Sequence, residues 1–148
     1  MESPLDLFHI MKTMRPMRRL KPDDVPDDLL EEVLDAAVCA PNSLNTQPYN
    51  FIVVRDKETK SFFGEKYDQA MGQRFAKYVP DSGDNSAFAR NFRTAMAFGK
   101  HLPDVPVLLF VCGERDWPLA VVDEARVGLA PPSYGSVFPC VQNILLGC

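Results

Sequence analysis

The sequence predicts one domain that combines several α-helices with a small number of β-strands. Its length of 148 residues suits a single domain. Two short runs, "FIVVRD" at 51–56 and "PDVPVLLFVCGERD" at 103–116, are mainly apolar and rich in valine, as buried strands are. Longer stretches with apolar residues at helical spacing lie before, between and after these runs.

The composition is that of an ordinary globular protein, with 46% hydrophobic and 24% charged residues. The formal net charge of −4 disfavours nonspecific binding to nucleic acid. The N-terminus does not show the signal-peptide pattern of basic residues followed by an apolar stretch, and no apolar run is long enough to span a bilayer. We therefore expect a cytoplasmic protein without a nucleic-acid or membrane partner.

The N-terminal part of the chain predicts two helices joined by a proline-rich loop. Ser3 is the expected N-cap of the first helix and Pro4 its first residue. Three prolines then interrupt the helical pattern in "RPMRRLKPDDVP" at 15–26, and Pro26 opens the second helix. The apolar stripe of this second helix consists of Leu29, Leu30, Val33, Leu34 and Ala37.

The rest of the chain alternates between extended and helical patterns. The stretches at 57–79 and 86–102 predict helices, with a turn at 80–85 between them. Residues 117–136 carry a mixed pattern, and "VFPCVQNILLGC" at 137–148 begins as an apolar helix.

The predicted elements do not complete a stable sheet, since two strands alone are rarely stable. The last predicted helix also ends without a polar or capped terminus, so little chain is left to cover its apolar surface. We expect that the chain is a C-terminally shortened version of a larger domain, or that it relies on a partner subunit. A third strand within residues 117–127 is the alternative.

The cysteines do not have the spacing of a zinc site. None form a CxxC pair, and neither His9 nor His101 lies near a cysteine in the sequence. Cys148 is expected to be a free thiol. Three further cysteines occur in apolar runs and are expected to be small buried residues: Cys39, Cys112 and Cys140.

Two segments carry the polar residues best suited to bind a ligand. "MRPMRRL" at 14–20 concentrates three arginines, and guanidinium groups donate paired hydrogen bonds to phosphates and to planar rings rich in carbonyl groups. "APNSLNTQPYNF" at 40–51 places many neutral hydrogen-bonding side chains between a helix and a strand. A solvated basic turn and a loop that satisfies its own backbone are the respective alternatives.

In the order and spacing of these segments the chain resembles the FMN-dependent nitroreductase family. The resemblance is most specific over residues 10–56 and resumes at "DVPVLLFVCGERD" and at "SVFPCVQNILLG". It implies an α+β fold in which helices flank a mixed sheet. It also implies a homodimer with FMN at the interface, and a single domain over 1–148 that lacks the family's C-terminal elements.

The resemblance assigns the basic loop to the flavin. The family's usual Arg-Arg-Ser-x-Arg places Arg15 at the second position and Arg18 at the last, with Met14 and Pro16 replacing the first arginine and the serine. Arg15 would contact the FMN phosphate or ribityl chain, and Arg18 the pyrimidine edge, where its charge stabilises the reduced ring. For Arg19 the resemblance leaves two alternatives of equal weight, contact with the phosphate or orientation toward solvent. The expected cofactor contacts in this loop are Arg15, Pro16, Met17, Arg18 and Arg19.

The polar loop resembles the family segment Ala-Pro-Ser-x-x-Asn-x-Gln-Pro-Trp, which contacts flavin across the dimer interface. Asn42 stands at the position of the serine, and Asn45 and Gln47 match the family residues. Asn42 and Ser43 would lie nearest the phosphate or ribityl part, while Asn45 and Gln47 would contact the cofactor or hold the loop itself. Ser136, before the family's central helix, is a further expected contact.

The resemblance implies an oxidoreductase that passes a hydride from NAD(P)H through FMN to a nitroaromatic, quinone or similar small-molecule acceptor, in ping-pong order. Because the flavin carries the chemistry, no catalytic side chain and no metal are expected. Family members continue with another strand and a late phosphate-binding Lys or Arg, which this chain is expected to lack. One alternative is a shortened, non-catalytic member that binds flavin weakly or only dimerises. Another, within the enzymes, is a specialised relative such as a reductive dehalogenase or a flavin-cannibalising synthase.

Overall fold

The structure, a computed structural model, describes residues 6–114 and 134–148. Within this part of the chain, five helices and two strands follow one another in the order α1–α2–β1–α3–α4–β2–α5. Their bounds are α1 Leu7–Thr13, α2 Asp27–Val38, β1 Tyr49–Val54, α3 Lys57–Phe75, α4 Ala87–Ala97, β2 Leu108–Gly113 and α5 Tyr134–Gly147. β1 and β2 pair in a two-stranded sheet. The predicted α+β class is confirmed.

Three short 3₁₀ segments connect or extend these elements. They are Ser43–Asn45 before β1, Ala76–Tyr78 after α3 and Phe98–Asp104 after α4. The predicted turn between the two middle helices lies at residues 82–83. The possible third strand at 117–127 lies outside the described residues.

Helix α1 begins later than the sequence pattern predicts. Asp6 has an extended backbone and caps the helix, because its carboxylate accepts a hydrogen bond of 3.0 Å from the backbone N–H of Phe8. Ser3 and Pro4, the expected N-cap and first helical residue, lie outside the described residues. Helix α2 begins directly after Pro26, as expected.

The chain contacts divide the described residues into two compact units. The first unit consists of residues 6–15, 25–52, 109–114 and 134–148, and the second of residues 16–24 and 53–108. The boundary within the basic loop separates Arg15, which belongs to the first unit, from Arg18 and Arg19, which belong to the second.

The core of the first unit forms where α2 packs on α5. Asn143 of α5 donates a hydrogen bond of 2.9 Å from its side-chain amide to the backbone oxygen of Ala36, which ties the two helices together. The buried residues of this core are Ala37, Ala40, Tyr49, Cys140 and Ile144.

The second unit is organised by α3, which packs on the 3₁₀ segment Phe98–Asp104. The absence of a side chain at Gly64 permits this approach, because a Cβ there would lie 2.5 Å from the backbone oxygen of Gly99. Tyr67 adds a hydrogen bond of 3.0 Å from its hydroxyl to the backbone oxygen of Ala95. These contacts hold α4 and the 3₁₀ segment against one long helix.

Several residues expected to be buried are exposed. Ile52 and Val53 of β1 are 53% and 38% exposed, so the prediction that this strand is covered on both faces was wrong for the single chain. Cys39 and Cys112 are also exposed, because Cys39 lies just past the end of α2 and Cys112 near the end of β2. Cys140 is buried as expected, and burial raises the pKa of its thiol.

None of the described helices combines the length and the apolar composition needed to cross a bilayer.

Candidate functional site

The predicted basic loop connects α1 to α2, and its first arginine is used by the helix that precedes it. Nη1 of Arg15 donates hydrogen bonds of 3.0 Å and 2.7 Å to the backbone oxygens of Lys12 and Met14. These carbonyls lie at the C-terminal end of α1, where unpaired acceptors and the helix dipole favour a cation. Arg15 thus caps α1 within the first unit.

Arg18 and Arg19 lie together on one cleft of about 540 Å³ in the second unit. Arg18 is half-buried and Arg19 is exposed. Pro16 and Met17 are exposed beside them and do not line the cleft. The lining residues are Arg18, Arg19, Leu20, Pro22, His101, Asp104 and Val105. The cleft therefore combines two guanidinium groups and an imidazole with one carboxylate.

Two lysines of α3 contact Val105 and Asp104, which line this cleft. Lys60 is only 6% exposed, and its ammonium group donates a hydrogen bond of 2.7 Å to the backbone oxygen of Val105. Lys57 lies at the surface with its Nζ 3.8 Å from Oδ1 of Asp104. A buried ammonium needs such a partner, since burying it without one is costly. The buried Lys60 contact therefore holds Val105 in place before β2, whereas the exposed Lys57–Asp104 pair contributes little.

His101 and Asp104 were not predicted as site residues. They are more than eighty positions from Arg18 in the sequence, and only the packing of the second unit places them on the same cleft. The segment "KHLPDVP" around them carries no motif that identifies a ligand site. A structure was therefore needed to find them.

The predicted polar loop, residues 40–51, runs into β1 at Tyr49, and its irregular part, residues 40–48, lies in the first unit and is braced by Asn42. The side-chain oxygen of Asn42 accepts a hydrogen bond of 2.8 Å from the backbone N–H of Gln47, and its amide donates to the backbone oxygen of Ala40 at 3.3 Å. Thr46 closes the enclosed 3₁₀ turn with two hydrogen bonds to the backbone oxygen of Ser43. The loop thus satisfies much of its own backbone.

This compact loop contains three residues with positive φ: Leu44 at 52°, Asn45 at 54° and Gln47 at 45°. Left-handed backbone costs little for Asn but more for Leu, so the brace from Asn42 must hold it in place. Leu44 is nevertheless 73% exposed, and Ser43 and Asn45 are exposed as well. The loop therefore presents side chains outward on a fixed backbone.

Tyr49 anchors the end of this loop to α2. It is 7% exposed, and its hydroxyl donates a hydrogen bond of 3.2 Å to the backbone oxygen of Val38. Burial is the main cause that raises the pKa of this hydroxyl above its ordinary value, with Cys140 and Cys39 adding to the effect. Tyr49 therefore remains a neutral donor at physiological pH.

The remaining predicted contact, Ser136, is 4% exposed in the first turn of α5. The predicted site residues thus divide between the units. Arg15, Asn42, Ser43, Asn45, Gln47 and Ser136 belong to the first, and Pro16, Met17, Arg18 and Arg19 to the second. Among the described residues, no cluster of His, Cys, Asp or Glu could hold a metal ion.

Comparison with known proteins gives the same family as the sequence motifs. The nitroreductase family model matches residues 12–148. An NADH dehydrogenase of Thermus thermophilus is 42% identical over 66 residues, which is 45% of this chain and 31% of that protein. An iodotyrosine deiodinase of Hydra vulgaris is 28% identical over 78 residues, covering 47% of this chain and 29% of the relative.

The fold comparison agrees with these matches. A crystal structure of iodotyrosine deiodinase, bound to FMN and 3-iodo-L-tyrosine, superposes with a TM-score of 0.70 at 22% identity, covering 96% of this chain and 68% of the other. The aligned segments span only about a third of the length of the curated relatives. Because the family model matches far more than half of the sequence, the chain belongs to the nitroreductase family.

Proposed function

We propose that the chain is an FMN-dependent oxidoreductase of nitroreductase type. NAD(P)H would be the electron donor, and a nitroaromatic, quinone or similar small molecule the acceptor, in ping-pong order. The main support for the proposal is that two arginines line one cleft in a chain of this family. Arg18 is half-buried there and Arg19 is exposed. Such a pair is suited to an anionic or carbonyl-rich ligand.

The hydrogen-bond donors that line this cleft match the acceptor groups of FMN. The cleft of about 540 Å³ offers guanidinium donors from Arg18 and Arg19 and a ring nitrogen from His101. These groups suit a phosphate or the pyrimidine edge of a flavin, which presents carbonyl oxygens. Asp104 is already close to Lys57, so its charge is partly balanced within the protein. Arg18 would hold the pyrimidine edge.

FMN, when bound, supplies the redox chemistry by taking up a hydride and passing electrons on, so no protein nucleophile or general base is required. Arg18 would stabilise negative charge on the reduced ring, because a partly buried guanidinium is less screened by water than an exposed one. Asn42 would act mainly by holding the polar loop in shape, while Ser43 and Asn45 present hydrogen-bonding groups. Gln47 and Ser136 complete the proposed set.

The proposed assembly is a homodimer with FMN at the interface. Support comes from apolar side chains that the single chain leaves exposed in its first unit, including Ile52 at 53% and Phe138 at 65%. Burying such side chains against a second copy would contribute about 25 cal/mol per Å² of apolar surface. The polar loop of one protomer would then contribute to the flavin site of its partner.

NAD(P)H oxidation tests the proposed activity directly. The FMN-loaded chain should oxidise NADH or NADPH in the presence of menadione or a nitrofuran at rates well above those of the same concentration of free FMN. Rates equal to free FMN from a folded, FMN-loaded chain would contradict the proposal. They would favour instead a non-catalytic member that binds flavin weakly or only dimerises.

A second candidate reaction is reductive dehalogenation, which the iodotyrosine deiodinase of Hydra vulgaris favours through its 28% identity to this chain. The reaction would consume two electrons and one proton, replacing the carbon–iodine bond by carbon–hydrogen and releasing iodide. Incubation of the chemically reduced, FMN-loaded chain with 3-iodo-L-tyrosine should then yield tyrosine, measured by chromatography. Unchanged 3-iodo-L-tyrosine would exclude this candidate.

A further inference from the structure

The second unit contains another cleft whose wall is almost entirely aromatic. It has a volume of about 450 Å³ and lies where the end of α3 and the following 3₁₀ turn face the start of α4. Its lining residues are Arg74, Phe75, Tyr78, Phe88 and Phe92. We call it the aromatic cleft. None of these residues lines the cleft that holds Arg18 and Arg19.

The four rings form a continuous surface. Phe92 lies at the centre, with its ring centroid 6.3 Å from that of Phe75 and 5.9 Å from that of Phe88. The Phe75 and Tyr78 centroids are 6.4 Å apart. These separations are typical of paired aromatic side chains, so the rings support one another. An added ring could pack against the same surface in the same geometry.

This aromatic surface is more open than a structural core would be. Phe88 is 64% exposed and Tyr78 is 63% exposed. Leaving large apolar side chains in water forfeits the stabilisation that their burial would give. An occupant that covers these rings would recover it.

Arg74 gives the cleft its charge. The guanidinium carbon lies 5.6 Å from the centroid of the Phe75 ring, a distance at which a cation is attracted to the ring face. Within the described part of the chain, Arg74 makes no hydrogen bond or ion pair, and it is the only charged residue that lines this cleft. Its N–H groups are therefore available to a carboxylate, which they match in geometry.

We propose that the aromatic cleft binds a planar aromatic acid. The ring of the acid packs against Phe75, Phe88 and Phe92, and its carboxylate pairs with Arg74. The volume lies within the range of small-molecule sites, which are also mainly apolar with a few polar groups. A neutral aromatic molecule would lose the pairing with Arg74, and an aliphatic acid would lose the contact with the rings. Occupation requires no flavin, because none of the five lining residues lines the cleft that holds Arg18 and Arg19.

Isothermal titration of the full chain with 2-naphthoate, without FMN, tests this site. We expect saturable binding with one 2-naphthoate per chain. Arg74→Gln should weaken the binding about tenfold, as should replacement of the probe by neutral 2-naphthylmethanol. Phe92→Leu should weaken it about fivefold. Phe88→Leu serves as a second ring variant at an exposed position if Phe92→Leu fails to fold.

Two controls separate this site from other sources of binding. Lys77→Gln removes a nearby exposed cation that does not line the cleft and should leave the affinity within about twofold, because exposed charges are screened. Arg18→Ala should also retain 2-naphthoate binding, whatever its effect on FMN. If the unmodified chain binds 2-naphthoate but not FMN, the proposed function is contradicted and the aromatic cleft is not.

Three outcomes would overturn the proposal. The first is no saturable binding of 2-naphthoate, and the second is equal affinity for 2-naphthylmethanol. The third is that Arg74→Gln binds as tightly as the unmodified chain. If sedimentation shows a dimer that Phe88→Glu dissociates while 2-naphthoate does not bind, a second copy of the chain covers the cleft instead.

Discussion

Arg18 and Arg19 are neighbours in sequence and line the same cleft, yet they differ in solvent exposure. Arg18 is half-buried, whereas Arg19 is exposed. A charge held near the protein interior acts through a lower effective dielectric than one in water, so its field on a bound ligand is stronger. The two residues therefore provide a matched comparison for the proposed flavin site.

We predict that Arg18→Ala lowers the reduction potential of bound FMN and slows turnover more than Arg19→Ala does. The reason is that Arg18 would stabilise the negative charge of the reduced ring, while Arg19 is screened by solvent. Equilibrium redox titration of the FMN-loaded variants measures the potentials. Equal shifts from the two substitutions would mean that the register assigned to the basic loop is wrong.

At the scale of single residues, the sequence predicted the arginines and the polar loop but not the details of their use. The motif order identified Arg15 and Asn42, yet Arg15 caps α1 and Asn42 braces its own loop through hydrogen bonds that depend on local backbone geometry. His101 and Asp104 could not be found from the sequence, because their place on the cleft depends on contacts between distant segments.

At the scale of elements, α3 organises the second unit through one close backbone approach. A Cβ at Gly64 would lie 2.5 Å from the backbone oxygen of Gly99, whereas a Cβ at Gly72 of the same helix would have no neighbour within 4 Å. Both residues are inside α3, so they carry the same loss of helix propensity. Only Gly64 has a packing reason to be glycine.

We predict opposite effects of alanine at these two positions. Gly64→Ala should lower the free energy of unfolding by about 1–3 kcal/mol, because backbone atoms must shift to admit the new methyl group. Gly72→Ala should raise it by up to about 1 kcal/mol through better helix propensity. Urea unfolding followed by circular dichroism measures both values. Similar effects of the two substitutions would contradict the close packing of α3 on the 3₁₀ segment.

The start of α3 gives a pH-dependent prediction. Asp56 caps the helix and accepts a hydrogen bond of 2.7 Å from the backbone N–H of Thr59. Hydrogen bonds from the side chain and the backbone of Thr59 lower the pKa of Asp56 below its ordinary value of 3.8. The stabilisation is therefore fully present above that value and is lost as the pH falls below it, because the unfolded chain then binds the proton more readily.

Asp56→Ala should accordingly lower the thermal unfolding temperature at pH 7. The difference from the unmodified chain should shrink as the pH is reduced below 3.8, where the cap becomes protonated. Thermal scans of both proteins between neutral and acidic pH make the comparison. A difference that stays constant over this range would show that the charge of Asp56 does not contribute to the cap.

The positions of the helices were predicted more accurately than the burial of the strand side chains, for a physical reason. The pattern at 57–79 predicted α3 because helix periodicity and caps are local properties of the sequence. The exposure of Ile52 in β1 and of Cys112 in β2 depends on which segments cover the sheet. The local sequence pattern does not indicate which segments cover the sheet, so the prediction of fully buried strands was wrong.

At the scale of the whole molecule, the first unit leaves large apolar side chains in water. Phe8 of α1 is 67% exposed, Phe138 of α5 is 65% exposed and Ile52 of β1 is 53% exposed. Within residues 6–114 and 134–148, nothing covers these side chains, and exposed apolar residues of this size are typical of interaction surfaces. The proposed homodimer would provide it.

We predict that Phe138→Glu shifts the chain from dimer to monomer. Burying a carboxylate in an apolar interface is costly, so the variant should dissociate at concentrations where the unmodified chain is dimeric. Analytical ultracentrifugation measures the masses, and Phe62→Glu, at a residue 52% exposed in the second unit, is the control. A dimer that survives Phe138→Glu would exclude this face as the interface.

Fluorescence titration of the purified chain with FMN shows whether this nitroreductase-family chain binds the flavin. We expect saturable quenching of flavin fluorescence with one FMN per chain, and weaker binding for Arg18→Ala than for Arg19→Ala. A folded chain that is purified without flavin and leaves the fluorescence of added FMN unchanged would contradict the account.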